Sequence, residues 1–432
     1  MSQRKKMKRA ITAIMAIAML AGCSKPEAPA ATGSKEPSLG SEPIKLSLFM
    51  RVSYPDDSVK KYIIDPVQKK FPNVTIDIVK NEKGTNVNDL IAAGTFPDLI
   101  FLSTPYVSEL KKLDLLEDLS SLVKKYNVDM SRFYPEAVDA IKKQAAGPQL
   151  YALPFSMNYA VTYYNKDIFD KFGVPYPKDD MTWDDYLELS RKLTRVSEGV
   201  PFSGVDPYAL RGGAPMALDY VDPKTGKPVL TSDGWVKAFQ VIQSFNSIPG
   251  NKHDSKFRDL FIKDRTLATY ITYDNTQNFE QLEKDGNPMN WDMVSFPTFK
   301  NTPGVGHGID SHNIAVTSTG KNKDAAFQVL AYLTSKEVQM ELSRNGKQPG
   351  IQDPEMQKVF GSNVSILKGK NIGAIFKTKA APMRNISDFD AVVQKELYKA
   401  YDMLVSGNSD INTLLRTANE EAEKAIQLEK AK

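Results

Sequence analysis

Residues 150–194 read LYALPFSMNYAVTYYNKDIFDKFGVPYPKDDMTWDDYLELSRKLT, and within them the hydrophobic period changes once. Val161 and Tyr163 stand two apart, the spacing of a strand with one buried face, whereas Trp183, Tyr186, Leu187 and Leu193 recur at helical spacing. Thr182 is placed to cap that helix: its hydroxyl reaches the backbone N–H three residues on, and Asp185 can return the bond. A strand handing over to a capped amphipathic helix is the building unit of a sheet covered by helices.

The same rhythm extends upstream. Ile44, Leu46, Leu48 and Met50 alternate; Val59, Tyr62, Ile63 and Val67 have helical spacing, with Pro66 expected to kink or delay the helix; Val74, Ile76 and Ile78 alternate again. A short helix from Asn88 to Ala93, an apolar strand Leu99-Ile100-Phe101-Leu102 and a helix through Val107, Leu110 and Leu113 follow. This order predicts an α/β fold with a parallel sheet covered by helices. Downstream, Trp235, Phe239, Ile242 and Phe245 form the inner face of another helix. One long helix is expected from about Asp324 to Arg344, stopped by Gly346 and Pro349, and two more around Val392–Val405 and Ile411–Leu428.

The amino-terminal 22 residues carry Arg4, Lys5, Lys6, Lys8 and Arg9, no acid, and an uncharged run from Ala10 to Ala21. That is a secretion signal rather than an anchor, because a spanning helix needs roughly 20 apolar residues. Cys23 is the only cysteine of the 432 residues, so it has no partner for an internal disulfide and a reserved chemical use is expected of it. Residues 24–43 (SKPEAPAATGSKEPSLGSEP) hold one large apolar residue and read as a flexible tether. The chain has 56 Lys and Arg against 52 Asp and Glu; without the five basic residues of the signal, the mature protein is close to neutral. Nothing in that balance favours nucleic acid or an anionic membrane surface. The roughly 390 residues past the tether suggest two domains.

Three segments, taken in order, resemble the type-one extracellular solute-binding proteins of ABC importers. They are Gly94-Thr95-Phe96-Pro97-Asp98-Leu99-Ile100; the stretch from Leu150 to Thr194, with its Tyr-x-x-Pro, Tyr-Asn-Lys-Asp and Thr-Trp features; and Ile314 to Leu333, with Gly320-Lys321-Asn322-Lys323-Asp324-Ala325-Ala326. Leu20-Ala21-Gly22-Cys23 likewise resembles the lipobox of bacterial lipoproteins, which implies cleavage before Cys23, diacylation of its sulfur and attachment to the outer face of the cytoplasmic membrane.

The resemblance implies a two-lobed periplasmic-binding-protein-like clamp, type II-like, with a hinge between the lobes and the ligand in the cleft. The expected organisation is a signal peptide at 1–22, lipidated cysteine and tether at 23–43, one lobe from 44–156 with 308–350, and another from 157–307 with 351–432. Chain crossings are expected near Pro154–Tyr159, His307–His312 and Asn345–Ile351. The implied partners are a small solute, preferably a carbohydrate, and the membrane subunits of an ABC permease; the protein is expected to be a monomer with no cofactor, metal or catalytic residue.

A sugar presents hydroxyls around its ring and apolar C–H faces above and below, so its site needs planar hydrogen-bonding groups and aromatic rings. Candidates from strand ends and crossings are Arg51, Tyr54, Thr104, Tyr106, Asn158, Asp310, His312 and Arg384. By position in the family pattern, Asp206, Tyr208, Tyr273 and Asp274 join them. Asp98, Trp183 and Trp291 read as turn or packing residues. Pro303-Gly304-Val305-Gly306-His307-Gly308 lacks the lysine and Ser/Thr of a phosphate loop and reads as a loop before a hinge. His307, Asp310, Ser311 and His312 offer acid, base and nucleophile types, but neighbours in sequence rarely converge on one centre, and no catalytic elbow or zinc helix accompanies them. Two alternatives remain open: a non-sugar solute such as a glycerophosphodiester, peptide or polyamine, and a lipid-anchored glycan hydrolase using Asp206 with Asp274 or Asp310 as its carboxylate pair.

Overall fold

A computed structural model describes residues 39–251, 256–407 and 410–431. The secretion signal, Cys23 and most of the tether lie outside the described residues. Among the described residues thirteen strands run, in chain order, as β1 (Ile44–Met50), β2 (Val74–Lys80), β3 (Leu99–Ser103), β4 (Leu153–Met157), β5 (Ala160–Asn165), β6 (Arg195–Ser197), β7 (Val200–Val205), β8 (Leu267–Tyr273), β9 (Trp291–Ser295), β10 (Val305–Gly308), β11 (Ser311–Val316), β12 (Gln348–Pro349) and β13 (Lys379–Ala381). They form a six-stranded sheet of order β12-β4-β11-β3-β1-β2, a five-stranded sheet of order β6-β7-β8-β5-β9, and a β10-β13 pair.

Neither large sheet is wholly parallel, which corrects the expectation from alternation. β1 pairs in parallel with β2 and β3, but β11 runs antiparallel to both β3 and β4. The reason is the route of the chain. It leaves the first sheet at the end of β4, enters the second as β5 after two intervening residues, and returns through Ile309 and Asp310 to begin β11 with Ser311 opposite Met157. A strand that re-enters at the end where its neighbour exits has to run the other way.

Each sheet has its own apolar core. Leu48, Phe101, Phe155, Ile314 and Leu330 belong to the first; Trp183, Tyr186, Trp235, Phe239 and Leu397 fill one face of the second, and Tyr163, Phe261, Phe279 and Trp291 its other face. Separate cores joined by short crossings are the physical basis of two bodies that can move about a hinge.

The cap at Thr182 is as read: Thr182 Oγ1 accepts from the Asp185 N–H, and the Asp185 carboxylate accepts from the Thr182 N–H at 2.8 Å. Trp183 and Trp291 are buried, the latter stacked on Phe279 at 3.9 Å between centroids. Asp98 accepts from the Ser47 N–H and hydroxyl, bracing β3 against β1. Pro66 falls just after a π-helical turn at Lys60–Ile64, where the widened backbone accommodates a residue that has no N–H to donate. The single helix expected from Asp324 to Arg344 is two, Lys323–Leu333 and Lys336–Arg344. Thr334 turns its hydroxyl back onto the carbonyls of Leu330 and Ala331, and Ser335 leaves helical ψ to start the second helix.

Candidate functional site

A recess of about 980 Å³ opens between the two sheet systems. One wall is the helix Tyr106–Lys112, which starts where β3 ends; the other is made by the end of β8, the segment after β7, and the stretch from Met383 to Tyr398. Its position at the end of β3 is where open α/β sheets hold ligands. A side pocket of about 260 Å³ shares Gly212, Ala214, Tyr273 and Tyr398 with it. A separate cavity of about 120 Å³ behind the crossing, near Tyr134 and Gln348, is well below the size of ligand sites.

Tyr273 is the pivot of the recess. As the last residue of β8 it keeps 46 % of its surface accessible. The accessible face looks into the recess rather than bulk water, so its hydroxyl is pushed up to about 12, by loss of solvation first and the Asp310 carboxylate second. Asp310 lies on the crossing into β11. Its Oδ2 accepts from Asn158 Nδ2 at 2.8 Å, and its carbonyl accepts from the Asn158 N–H, so the two crossings are tied together. Its Oδ1 is buried with no hydrogen-bond partner, and burial raises the carboxyl above its usual range despite Asn158 and the Ser311 N–H.

Tyr208 sits in the side pocket, 42 % exposed, its hydroxyl accepting from Arg211 Nη1 at 2.8 Å. Arg211 in turn lies over the Tyr398 ring, 3.7 Å from its centroid. The turn that brings them together needs a glycine: Gly213 has φ +66°, and a Cβ there would stand 2.6 Å from Trp235 Cη2. Arg384 borders the main recess over the Tyr220 ring at 4.0 Å and pairs with Asp390 at 2.6 Å.

The remaining candidates make contacts within the protein, and Arg51 and Tyr54 also line a separate pocket of about 340 Å³ at the end of β1. Arg51 lies 3.9 Å over Tyr106 and grips both oxygens of Glu109. Tyr54 leans on Phe101 and His312, its hydroxyl buried without a partner and raised by that burial. His312 is held near 4, by burial first and the Lys347 ammonium second. Thr104 is fully buried and bonded to Ser311 and Asn313 inside the first sheet. Asp206 is 2 % exposed, accepts from the Tyr208 N–H, and is pushed far up by desolvation. Asp274, one residue beyond Tyr273, turns away: burial would raise it, but Lys347 at 2.7 Å and the Thr276 hydroxyl and N–H hold it below its ordinary value. The structure thus gathers Tyr273, Asp310 and Arg384 along one recess and Tyr208 beside it, and keeps Thr104, Asp206 and Asp274 in structural contacts.

Arg211, Tyr220, Tyr398 and Glu109 line the recess or its side pocket without having been read from sequence. Tyr398 lies on the helix Asp390–Val405, where an aromatic reads as core, and Arg211 three residues past Tyr208 carries no local signal. Two contacts cross the recess: Lys112 to Asp388 at 2.5 Å, and Lys143 Nζ donating to the Met383 carbonyl at 2.6 Å.

Residues 53–340 match the family model described as bacterial extracellular solute-binding protein. The chain belongs to that family. It is similar to the galactooligosaccharide-binding protein of Bacillus subtilis, 23 % identical over 427 residues that cover 92 % of this chain and 94 % of that one. It is also similar to the arabinooligosaccharide-binding protein of the same organism, 27 % identical over 215 residues, or 47 % of this chain and 45 % of that protein's length. Among solved structures, a sugar transporter protein from Rhizobium etli in an open conformation superposes with a TM-score of 0.72 at 21 % identity, covering 88 % of this chain and 99 % of that one. The sugar-binding protein MalE from Xanthomonas citri gives 0.70 at 15 %, covering 89 % and 98 %. These likenesses establish the two-lobed α/β fold.

Proposed function

We propose that this protein captures a carbohydrate outside the cytoplasmic membrane and delivers it, chemically unchanged, to the membrane subunits of an ABC importer. The observation that carries the reading is Tyr273, an aromatic ring left 46 % accessible inside a recess rather than packed into the core, with Asp310 and Tyr398 beside it. An open ring face with planar polar groups around it suits the C–H face and hydroxyls of a sugar. The names of the two Bacillus relatives point the same way.

The alternatives fit the recess less well. A polyamine needs uncommitted carboxylates and a phosphodiester a cluster of free cations, whereas Arg51 with Glu109, Lys112 with Asp388, and Arg384 with Asp390 already satisfy one another. A hydrolase needs two carboxylates facing one bond, and of the three aspartates considered, Asp206 is buried and Asp274 is held by Lys347. The lobes in this reading are residues 44–156 with 308–350 and 157–307 with 351–432, closing as a monomer over the ligand, with acylated Cys23 and the tether as the link to the membrane.

A thermal-shift screen of the chain from residue 24 against neutral mono- and oligosaccharides tests the ligand class. Stabilisation by at least one sugar, recovered intact by chromatography, is expected. Absence of stabilisation across the panel, or recovery of cleaved product, overturns the reading. Cys23→Ala is expected to release the full-length protein from washed membranes without altering sugar affinity.

A further inference from the structure

Beside the recess Arg51, Lys112 and Arg384 each meet a carboxylate, and Arg211 on the side pocket does not. Arg51 meets Glu109 at 2.9 Å, Lys112 meets Asp388 at 2.5 Å, and Arg384 meets Asp390 at 2.6 Å. Arg211 has no carboxylate partner among the described residues. Its contacts are aromatic: Tyr398 at 3.7 Å, Tyr401 at 5.1 Å and Tyr208 at 5.3 Å from the ring centroids, with one hydrogen bond to the Tyr208 hydroxyl. Its Nε–H is buried with no acceptor.

Arg211 is half-buried on the lining of the side pocket. The side pocket is walled by Tyr208, Pro215, Tyr273, Phe296 and Tyr398, and Arg211 is the only charged side chain on its lining. Ring faces alone leave the guanidinium without a counter-ion, and its planar fork is matched in geometry by a carboxylate. The Tyr208 hydroxyl bonds that fork and the Tyr398 ring lies against it. The pocket's 260 Å³ suits a single sugar ring, and the lining it shares with the main recess lets that ring be one unit of a longer chain.

Resting on the carbohydrate reading above, we propose that the side pocket takes a carboxylate-bearing sugar unit, a uronate, whose anion pairs with Arg211, so that the ligand is an acidic oligosaccharide. One guanidinium balances one negative charge, which favours a carboxylate over a phosphate ester; phosphate sites gather several cations, and the pocket has one. The neutral units of the same chain occupy the main recess, where every other cation is already paired.

The test uses matched pairs: a panel of neutral oligosaccharides, the same compounds with one primary hydroxyl oxidised to the carboxylate, and their 6-phosphate esters, titrated calorimetrically into the chain from residue 24. The expected result is at least one pair in which the oxidised member binds ten-fold or more tightly than its neutral parent, with the ratio shrinking as salt is raised. In Arg211→Gln the ratio collapses toward unity, and Arg211→Lys, which keeps the charge but not the fork, retains part of it. Circular dichroism and melting temperature confirm that both variants are folded. Neutral members binding as well as their oxidised partners throughout, or a preference that survives in Arg211→Gln, overturns the acidic ligand and leaves the carbohydrate reading standing. A phosphate ester that outbinds the carboxylate overturns the uronate. Failure of every compound to bind removes both readings together.

Discussion

The two walls of the recess are built differently. On the first-sheet wall the polar side chains spend their bonding capacity on one another: Arg51 stacks on Tyr106 and grips Glu109, and Thr104 is sealed beneath with Ser311 and Asn313. On the second-sheet wall Tyr208 and Tyr273 keep 42 % and 46 % of their surfaces open, among the few large apolar or aromatic side chains so exposed. A wall whose groups are satisfied is rigid and selects by shape and by the penalty of disturbing it. A wall with open rings supplies binding energy. Under the carbohydrate reading proposed above, the difference would give recognition mainly to the second wall and support to the first.

The strongest way to break that assignment is to remove a ring. Tyr273→Ala is expected to weaken sugar binding by about 1–3 kcal/mol, or about 5- to 150-fold, with little change in melting temperature. Tyr208→Ala is expected to act similarly, and Tyr208→Phe, which keeps the ring, to lose far less. Tyr106→Ala on the opposite wall is expected to lower thermal stability more than affinity. Calorimetric titration with thermal unfolding separates the two effects, and a reversed order would place recognition on the first wall.

Next in size is a pH effect confined to the first wall. His312 is held near 4 in the fold, by burial first and Lys347 second, while the unfolded chain takes up its proton near the ordinary imidazole value of about 6.5. Stability from this residue is therefore fully present above pH 6.5 and declines as pH falls toward 4. The loss is on the order of 2 kcal/mol at pH 5. Urea unfolding at pH 7 and pH 5 is expected to show that decline in the parent chain and less of it in His312→Gln; equal declines would mean that the ring is solvated in the fold.

Neighbours on one strand end sharpen the contrast further. Tyr273 faces the recess, whereas Asp274 faces Lys347. Lys347→Met leaves a partly buried carboxylate unpaired and is expected to cost stability on the order of 1–2 kcal/mol while shifting affinity less than Tyr273→Ala does. The smallest effect is expected at the rim. Lys112 and Asp388 are 51 % and 72 % exposed, so Asp388→Asn should change affinity by less than about 1 kcal/mol, and only at low salt.

What was legible in the sequence was local. The Thr182 cap, the inner face of Trp183, Tyr186 and Leu193, and the π turn's cause at Pro66 each rest on residues within a few positions of one another. Tyr273 was read from its position in the family pattern and Asp310 from its place on a crossing, and both line the recess. Tertiary structure alone decided the rest. The antiparallel course of β11 follows from where the chain returns to the first sheet. The break at Thr334 follows from a helix that passes from full burial to a half-exposed face. Arg211 meets Tyr398 across 187 residues of chain, and Thr104 meets Ser311 across 207, for each of which sequence carries only a residue type and no partner. Periodicity and capping are written in short-range hydrogen bonds and side-chain spacing. Which polar groups satisfy each other, and which are left open for a ligand, is fixed only when distant strand ends are brought to one recess.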